Sequence, residues 1–376
     1  MAVWFNTPNF PKTEVGSGKS GAPVQTLENL EMKKTLVAIA ALASVSAFAQ
    51  SSVQITGNVD AGYQSVKTDY GNATSASVRS VSNGTQNTNN VTFRLTEDLG
   101  GGLKASALYE LDFDATGGYN FTSQNTGTTN TASAPTTAEA FVGVAGGFGE
   151  IKVGNANLPT FGAQTTRSAF GSKIGGGYGD NAQLGTKVLR AQGSTQYSTP
   201  VIAGFQGAVA YKPKTVAAAQ SATAAEVTAA GDITDFSLTY VNGPLKAVVS
   251  NYKQTNTLKQ TQFAVNYVLG NATLIAGMHN EKSDGTATAA DKSGSNIGLK
   301  YALTSNVTLL AQHATLNDKL TANKDKKIDG IGAQYALSKR TNAYVRYVTE
   351  TNDNNGTGAT DKSKVTTTLV GLAHAF

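Results

Sequence analysis

The chain has 376 residues, with 40 Gly, 8 Pro, no Cys, 15% charged residues and a formal net charge of +5. Without Cys there is no disulfide framework, thiol nucleophile or thiolate metal site. The basic residues are dispersed, which argues against nucleic-acid binding, and a hydrophobic fraction of 40% fits strands apolar on one face better than membrane helices, which need runs of roughly 20 apolar residues.

Residues 1–31 are punctuated by Gly, Pro and Ser and lack sustained periodicity. They are expected to be a misassigned extension ahead of a true start at Met32. Met32-Lys33-Lys34 forms a positive n-region, 35–48 is a short apolar run, and Ala47-Phe48-Ala49 is an A-x-A cleavage site. Together they predict a secretory signal peptide over 32–49 and a mature chain over 50–376.

From Gln50 onward, alternating segments of about ten residues recur, the length of a tilted membrane strand. Two kinds of connection separate them in strict alternation. Short turns fall at 99–102, 146–149, 200–204, 242–244, 269–271, 304–305 and 338–341. Mostly long polar loops are predicted at 67–88, 115–135, 157–189, 213–231, 254–258, 283–292, 318–326 and 353–362. This pattern predicts an all-β fold: a sixteen-stranded antiparallel transmembrane β-barrel with short periplasmic turns and long extracellular loops.

Individual strands carry the same signal. In 103–112, Leu103, Ala105, Ala107, Tyr109 and Leu111 are expected to face lipid, with Lys104, Ser106, Glu110 and Asp112 toward the lumen. In 90–96, Arg94 points inward, and in 342–350 Arg346 and Glu350 do so. Charges on an inner face are tolerated where the lumen holds water. Tyr63, Tyr109, Tyr197, Tyr211, Tyr240, Tyr252, Tyr267, Tyr301, Tyr335 and Tyr347 are expected to form an interfacial girdle. The last predicted strand, 363–376, alternates with period two and closes the barrel against a first strand beginning near Val53-Ile55.

At 51–63 (SSVQITGNVDAGY), 95–113 (LTEDLGGGLKASALYELDF), 140–154, 197–211, 332–347 (GAQYALSKRTNAYVRY) and 370–376 (VGLAHAF) the chain resembles the general porins of Gram-negative bacteria, of the beta-proteobacterial type. The turn sequences EDLGGGLKA and YALSKRT are the most specific of these. The resemblance covers roughly 50–376. It implies a homotrimer in the outer membrane, in contact with its lipids, that passes small hydrophilic solutes and ions by diffusion, commonly with a modest anion preference. It also implies that loop 157–189 folds into the barrel and narrows it, and that Phe376 is a signal to the barrel-assembly machinery.

Fixed charges in a narrow lumen select ions. The constriction candidates are Arg94, Lys104, Lys152, Arg167, Lys173, Arg190 and Arg346, with Glu110 and Asp112 as an opposing acidic side. Arg79 is assigned instead to the first loop. The family often carries wall arginines where this chain has Asn90 and Asn155, so a weak anion preference is expected. His279, His313 and His374 fall on different strands, with no accompanying catalytic or metal-ligand spacing. The chain is therefore expected to be a channel without cofactor or metal rather than a barrel enzyme. An adhesive or structural barrel with a plugged lumen is the alternative.

Overall fold

The computed structural model describes residues 51–70, 74–116, 137–171, 173, 185–214, 231–285, 291–319, 324–354 and 362–376. The predicted extension, the signal peptide and parts of several predicted loops, including most of 172–184, lie outside the described residues.

The described chain is built from strands with one short helix among them. In order come β1 (Ser52–Tyr70), β2 (Ser75–Asn83), β3 (Asn90–Gly100), β4 (Leu103–Asp112), β5 (Thr137–Gly146) and β6 (Gly149–Asn155). Helix α1 (Pro159–Thr166) precedes β7 (Ser194–Ser198), β8 (Phe205–Lys212), β9 (Ile233–Asn242), β10 (Leu245–Gln254) and β11 (Leu258–Leu269). The rest are β12 (Ala272–Ser283), β13 (Asp291–Ala302), β14 (Val307–Asp318), β15 (Lys324–Ala336), β16 (Thr341–Asn354) and β17 (Lys362–Ala375).

Every pairing is antiparallel, and β17 pairs with β1 from Asn58↔Ala375 to Tyr70↔Ser363, which closes the sheet. β2 and β3 both pair with β1, end to end on its other side. They share one wall position, so the segments make a closed sixteen-stranded antiparallel barrel. Closure pairs the last strand with the first, as a barrel in lipid requires.

All seven predicted short turns are present between the strands. At the turn after β3, Gly100, Gly101 and Gly102 have φ of 80°, 60° and 81°, a left-handed run that favours glycine. The predicted first loop, 67–88, is corrected. β1 continues to Tyr70 and β2 resumes at Ser75, so most of this stretch is strand, and Arg79 stands on β2 opposite Ser65. The polar composition of 67–70 is compatible with strand because β17 and β2 flank β1 on either side and satisfy its backbone groups, and 75–83 pairs with β1.

The two faces of the wall have opposite chemistry. Val53, Ile55, Val142, Ile297, Ile331, Val345 and Val370 are exposed on the outside. Asp60, Asp235, Gln260, His279, Glu281, Gln312 and Arg346 are buried on the inside. Apolar-out, polar-in alternation is the arrangement of a barrel surrounded by lipid. Of the predicted girdle, Tyr63, Tyr109, Tyr211, Tyr267, Tyr301, Tyr335 and Tyr347 are exposed. Tyr252 is corrected: it shares the inward parity of Val248 and Ser250 and packs with Leu158, Ala210 and Leu258. At the long-loop rim, the Lys259 ammonium lies 2.6 Å from Asp284, and that hydrogen bond holds the carboxyl below the usual carboxylate range.

Candidate functional site

The connection after β6 turns into the barrel. Its base is closed by Leu158 N–H donating to Leu189 O (2.8 Å) and by Asn157, whose N and Nδ2 donate to Glu139 (3.1 and 3.0 Å). Pro159 begins α1 where no intrahelical N–H is needed. A loop inside a barrel must pair its backbone polar groups, and here the wall supplies the partners. Thr160 donates from N (3.0 Å) and Oγ1 (2.6 Å) to the Asp235 carboxylate. Thr186 donates from N (2.7 Å) and Oγ1 (2.9 Å) to Glu281. Gln164 Nε2 donates to Gln260 Oε1 at 3.1 Å, and Val188 N–H donates to Gln164 Oε1 at 3.2 Å.

Beyond α1 the tethering continues round the wall. Arg167 Nη1 donates to His279 Nδ1 at 2.9 Å, and Asn296 Nδ2 donates to Arg167 O. Ala169 N–H and Ser168 Oγ both donate to Gln312 Oε1, at 2.8 and 3.2 Å. The described part of 157–189 is thus pinned to the inner faces of β9 and β11–β14. Inward glycines make the space. A Cβ on Gly277 would strike the Arg167 side chain, one on Gly294 the His279 ring, and one on Gly298 would lie 3.1 Å from the Ala169 Cβ.

The predicted site residues separate into two groups. Arg167 (2% exposed), Lys173 and Arg346 (1%) are buried. Arg346 Nη1 donates to Thr85 O at 3.2 Å, and its guanidinium lies 5.1 Å from the Phe170 ring centre and 5.4 Å from that of Tyr344. The others keep solvent access. Arg94 is exposed on β3. Lys152 on β6 is half-buried, 3.0 Å from Glu150 and 4.9 Å from the Phe141 ring centre. Glu110 accepts from Thr92 Oγ1 at 3.1 Å and lies 4.0 Å from Arg190 Nη1. Asp112 is half-buried one step along the same face of β4 and within electrostatic range of Arg190, Lys173 and Lys187. The structure therefore gathers Glu110, Asp112, Arg190 and Lys173. Lys104 stands apart, opposite Asp98 beside the short turn.

The loop anchors Asp235, Gln260, Glu281 and Gln312 are absent from the sequence-derived candidates. Their one legible signal is position: each polar side chain falls on the inward parity of its strand.

The model of the Gram-negative porin family matches residues 35–355. The chain belongs to the Gram-negative porin family. Among curated relatives of this porin, the outer membrane porin protein 32 of Delftia acidovorans is 31% identical over 242 residues, 57% of this chain and 58% of that one. A major outer membrane protein P.IB of Neisseria gonorrhoeae is 32% identical over 187 residues, 49% of each chain. The porin spans about half the length of the curated relatives it matches. Among solved structures, the anion-selective porin from Comamonas acidovorans superposes with a TM-score of 0.67 at 23% identity, covering 87% of this chain and all of the other. A trimer form of OmpT of Vibrio cholerae gives 0.61 at 12% identity, covering 87% of this chain and 99% of the other. These likenesses share the fold. Family and fold place the chain in the outer membrane.

Proposed function

We propose that the chain forms a water-filled channel through which small hydrophilic solutes and ions diffuse across the outer membrane. One observation carries this reading: the described part of segment 157–189 is bonded to the inner wall of a barrel that is apolar outside, while charged side chains on β3, β4 and β6 retain solvent access. Arg94 on β3, Lys152 on β6 and Arg190, which bridges to Asn157 ahead of β7, share this region with Glu110, Asp112 and Glu150, a near balance that supports a weak anion preference. A likeness to an anion-selective porin supports the sign. The channel is a homotrimer in this reading, consistent with the trimer form of one structural neighbour. The sequence 32–49 is removed on export.

Stepwise conductance of the purified protein in planar bilayers tests the proposal, and complete absence of conductance favours a plugged structural barrel. Charge reversal supplies the finer test. At about 6 Å from an ion path in water, changing a side chain by two charges alters the ion energy by roughly 1.4 kcal/mol. That is about a tenfold change in local ion concentration before screening. Arg94→Glu and Arg190→Glu are expected to move the reversal potential in a salt gradient toward cations. Unchanged potentials in both variants remove these arginines from the selective region. N-terminal sequencing of the exported protein checks the processing site: Gln50 is expected first, and a residue before Met32 refutes it.

A further inference from the structure

β2 and β3 share a wall position but are not continuous. Asn83 pairs with Ala61 and Asn90 with Asn58, so the register leaves room for two residues, opposite Val59 and Asp60. The chain places six residues there, Gly84 to Asn89. They leave the wall toward the lumen, as their partners show: Asp60, Tyr344, Asn342 and Gln334 are inward-parity residues on β1, β16 and β15.

The excursion is built rather than loose. Asn89 stands in for the missing ladder strand, accepting from Asp60 N–H and donating from Nδ2 to Asp60 O at 3.0 Å. Gly84 N–H donates to the same carbonyl at 2.9 Å. The fully buried Asp60 carboxylate accepts from Gln86 N and Asn87 N, both at 2.6 Å, and from the Tyr344 hydroxyl. Gln86 donates from Nε2 to Asn342 Oδ1 at 2.7 Å and accepts from Gln334 Nε2 at 2.8 Å. A chain crossing open lumen needs this many partners to hold one position, because fixing each residue costs roughly 1–2 kcal/mol of backbone entropy.

The excursion also reaches the other insertion. The Arg346 guanidinium that binds Thr85 O lies against the Phe170 ring of segment 157–189. One insertion is tied to β9 and β11–β14, the other to β1, β15 and β16, and they meet at this arginine. The inner faces of β3, β4 and β6 keep their solvent-accessible charges.

We infer that the Gly84–Asn89 excursion is a second constriction element, which together with the described part of segment 157–189 confines passage to an off-axis path along the inner faces of β3, β4 and β6. The inference rests on the channel reading above, and the unmodified protein, recorded in parallel, tests that reading separately. Deleting residues 85–88 leaves Gly84 and Asn89, the two residues that the register requires, and returns every flanking side chain to its own face. Single-channel conductance is expected to rise, and liposome swelling to admit larger sugars. Asn87→Cys is the gentler variant, since Asn87 is half-exposed and the chain has no other Cys. Complete labelling with a bulky thiosulfonate, verified by mass spectrometry on heat-modifiable folded protein, is expected to lower its conductance. Labelled Asn87→Cys that conducts like the unlabelled variant overturns the inference, as does a folded deletion variant of unchanged conductance. Either result leaves the channel reading standing, whereas an unmodified protein that does not conduct removes the reading itself.

Discussion

Replacing Asp235 and Glu281 together with Ala is expected to turn a steady open channel into one that flickers among sublevels. Each carboxylate accepts two hydrogen bonds from segment 157–189, between 2.6 and 3.0 Å. Hydrogen bonds to charged groups contribute about 1.5–3 kcal/mol each. Losing some 3 kcal/mol of tethering at one anchor raises the population of released loop by roughly two orders of magnitude, and the anchors lie at opposite ends of the segment. The barrel itself should persist, because its strand ladders do not involve these side chains. Folded yield should therefore stay near normal while the current record changes. Asp235→Asn keeps one acceptor oxygen for Thr160 and is expected to restore much of the quiet behaviour. A double-alanine variant with wild-type amplitude and noise would show that the loop is held by other means.

A second large effect is expected at the seam. Phe376 and Gly57 exchange two backbone hydrogen bonds, each 3.0 Å, and a Cβ on Gly57 would collide with the Phe376 ring. Deleting Phe376 removes two ladder bonds of about 1 kcal/mol each, a small loss for a sheet closed through thirteen further residue pairs from Asn58↔Ala375 to Tyr70↔Ser363. If the terminal aromatic residue is the assembly signal, the deletion should nonetheless deplete folded protein from the outer membrane severely. Gly57→Val strains the same seam, and the Asn90 carbonyl on the other side of β1, but keeps the terminal residue, so it should deplete the protein less than the truncation does. Quantifying heat-modifiable protein in outer-membrane fractions separates the two. Equal depletion would assign the effect to seam geometry, and normal levels of the truncation would end the assembly-signal idea. Truncated channels that do insert should conduct normally, because Phe376 bonds Gly57 at the short-turn end of the seam, whereas Gly57→Val also presses on Asn90, next to the Gly84–Asn89 excursion, and is not a control for conductance.

The wall of this barrel is legible in the sequence because its determinants are local. Gly100-Gly101-Gly102 demands a turn, and Leu103 to Leu111 alternates with strand period, so β4 is found at its true bounds. The first predicted loop misleads because Ser, Thr and Asn serve equally in a loop and on a strand whose backbone is paired by a distant neighbour, as β2 is by β1. Nothing in Gly84–Asn89 distinguishes a segment directed outward from one directed inward; that depends on the register of β1 with two other strands. The length of 157–189 marks it as a functional loop, but its anchors pair across long separations, Thr160 with Asp235 and Thr186 with Glu281. A single chain read alone shows the inward acids without showing what they hold. Arg167 and Arg346 illustrate the same limit: their inward or loop placement is readable, while their burial against Gly277 and Phe170 is a tertiary result.

The inward glycines beneath the tethered segment give the lumen an adjustable bore. Gly277, Gly294 and Gly298 act as shims of zero thickness under Arg167, His279 and Ala169. Adding one methyl group at any of them must displace what rests above it, by a few tenths of an ångström at Gly298 and further at Gly277. Calibre can therefore drift in increments of a single carbon, through substitutions that touch neither the loop sequence nor the membrane-facing surface. Homologous barrels of one outline can in this way differ in what they let through.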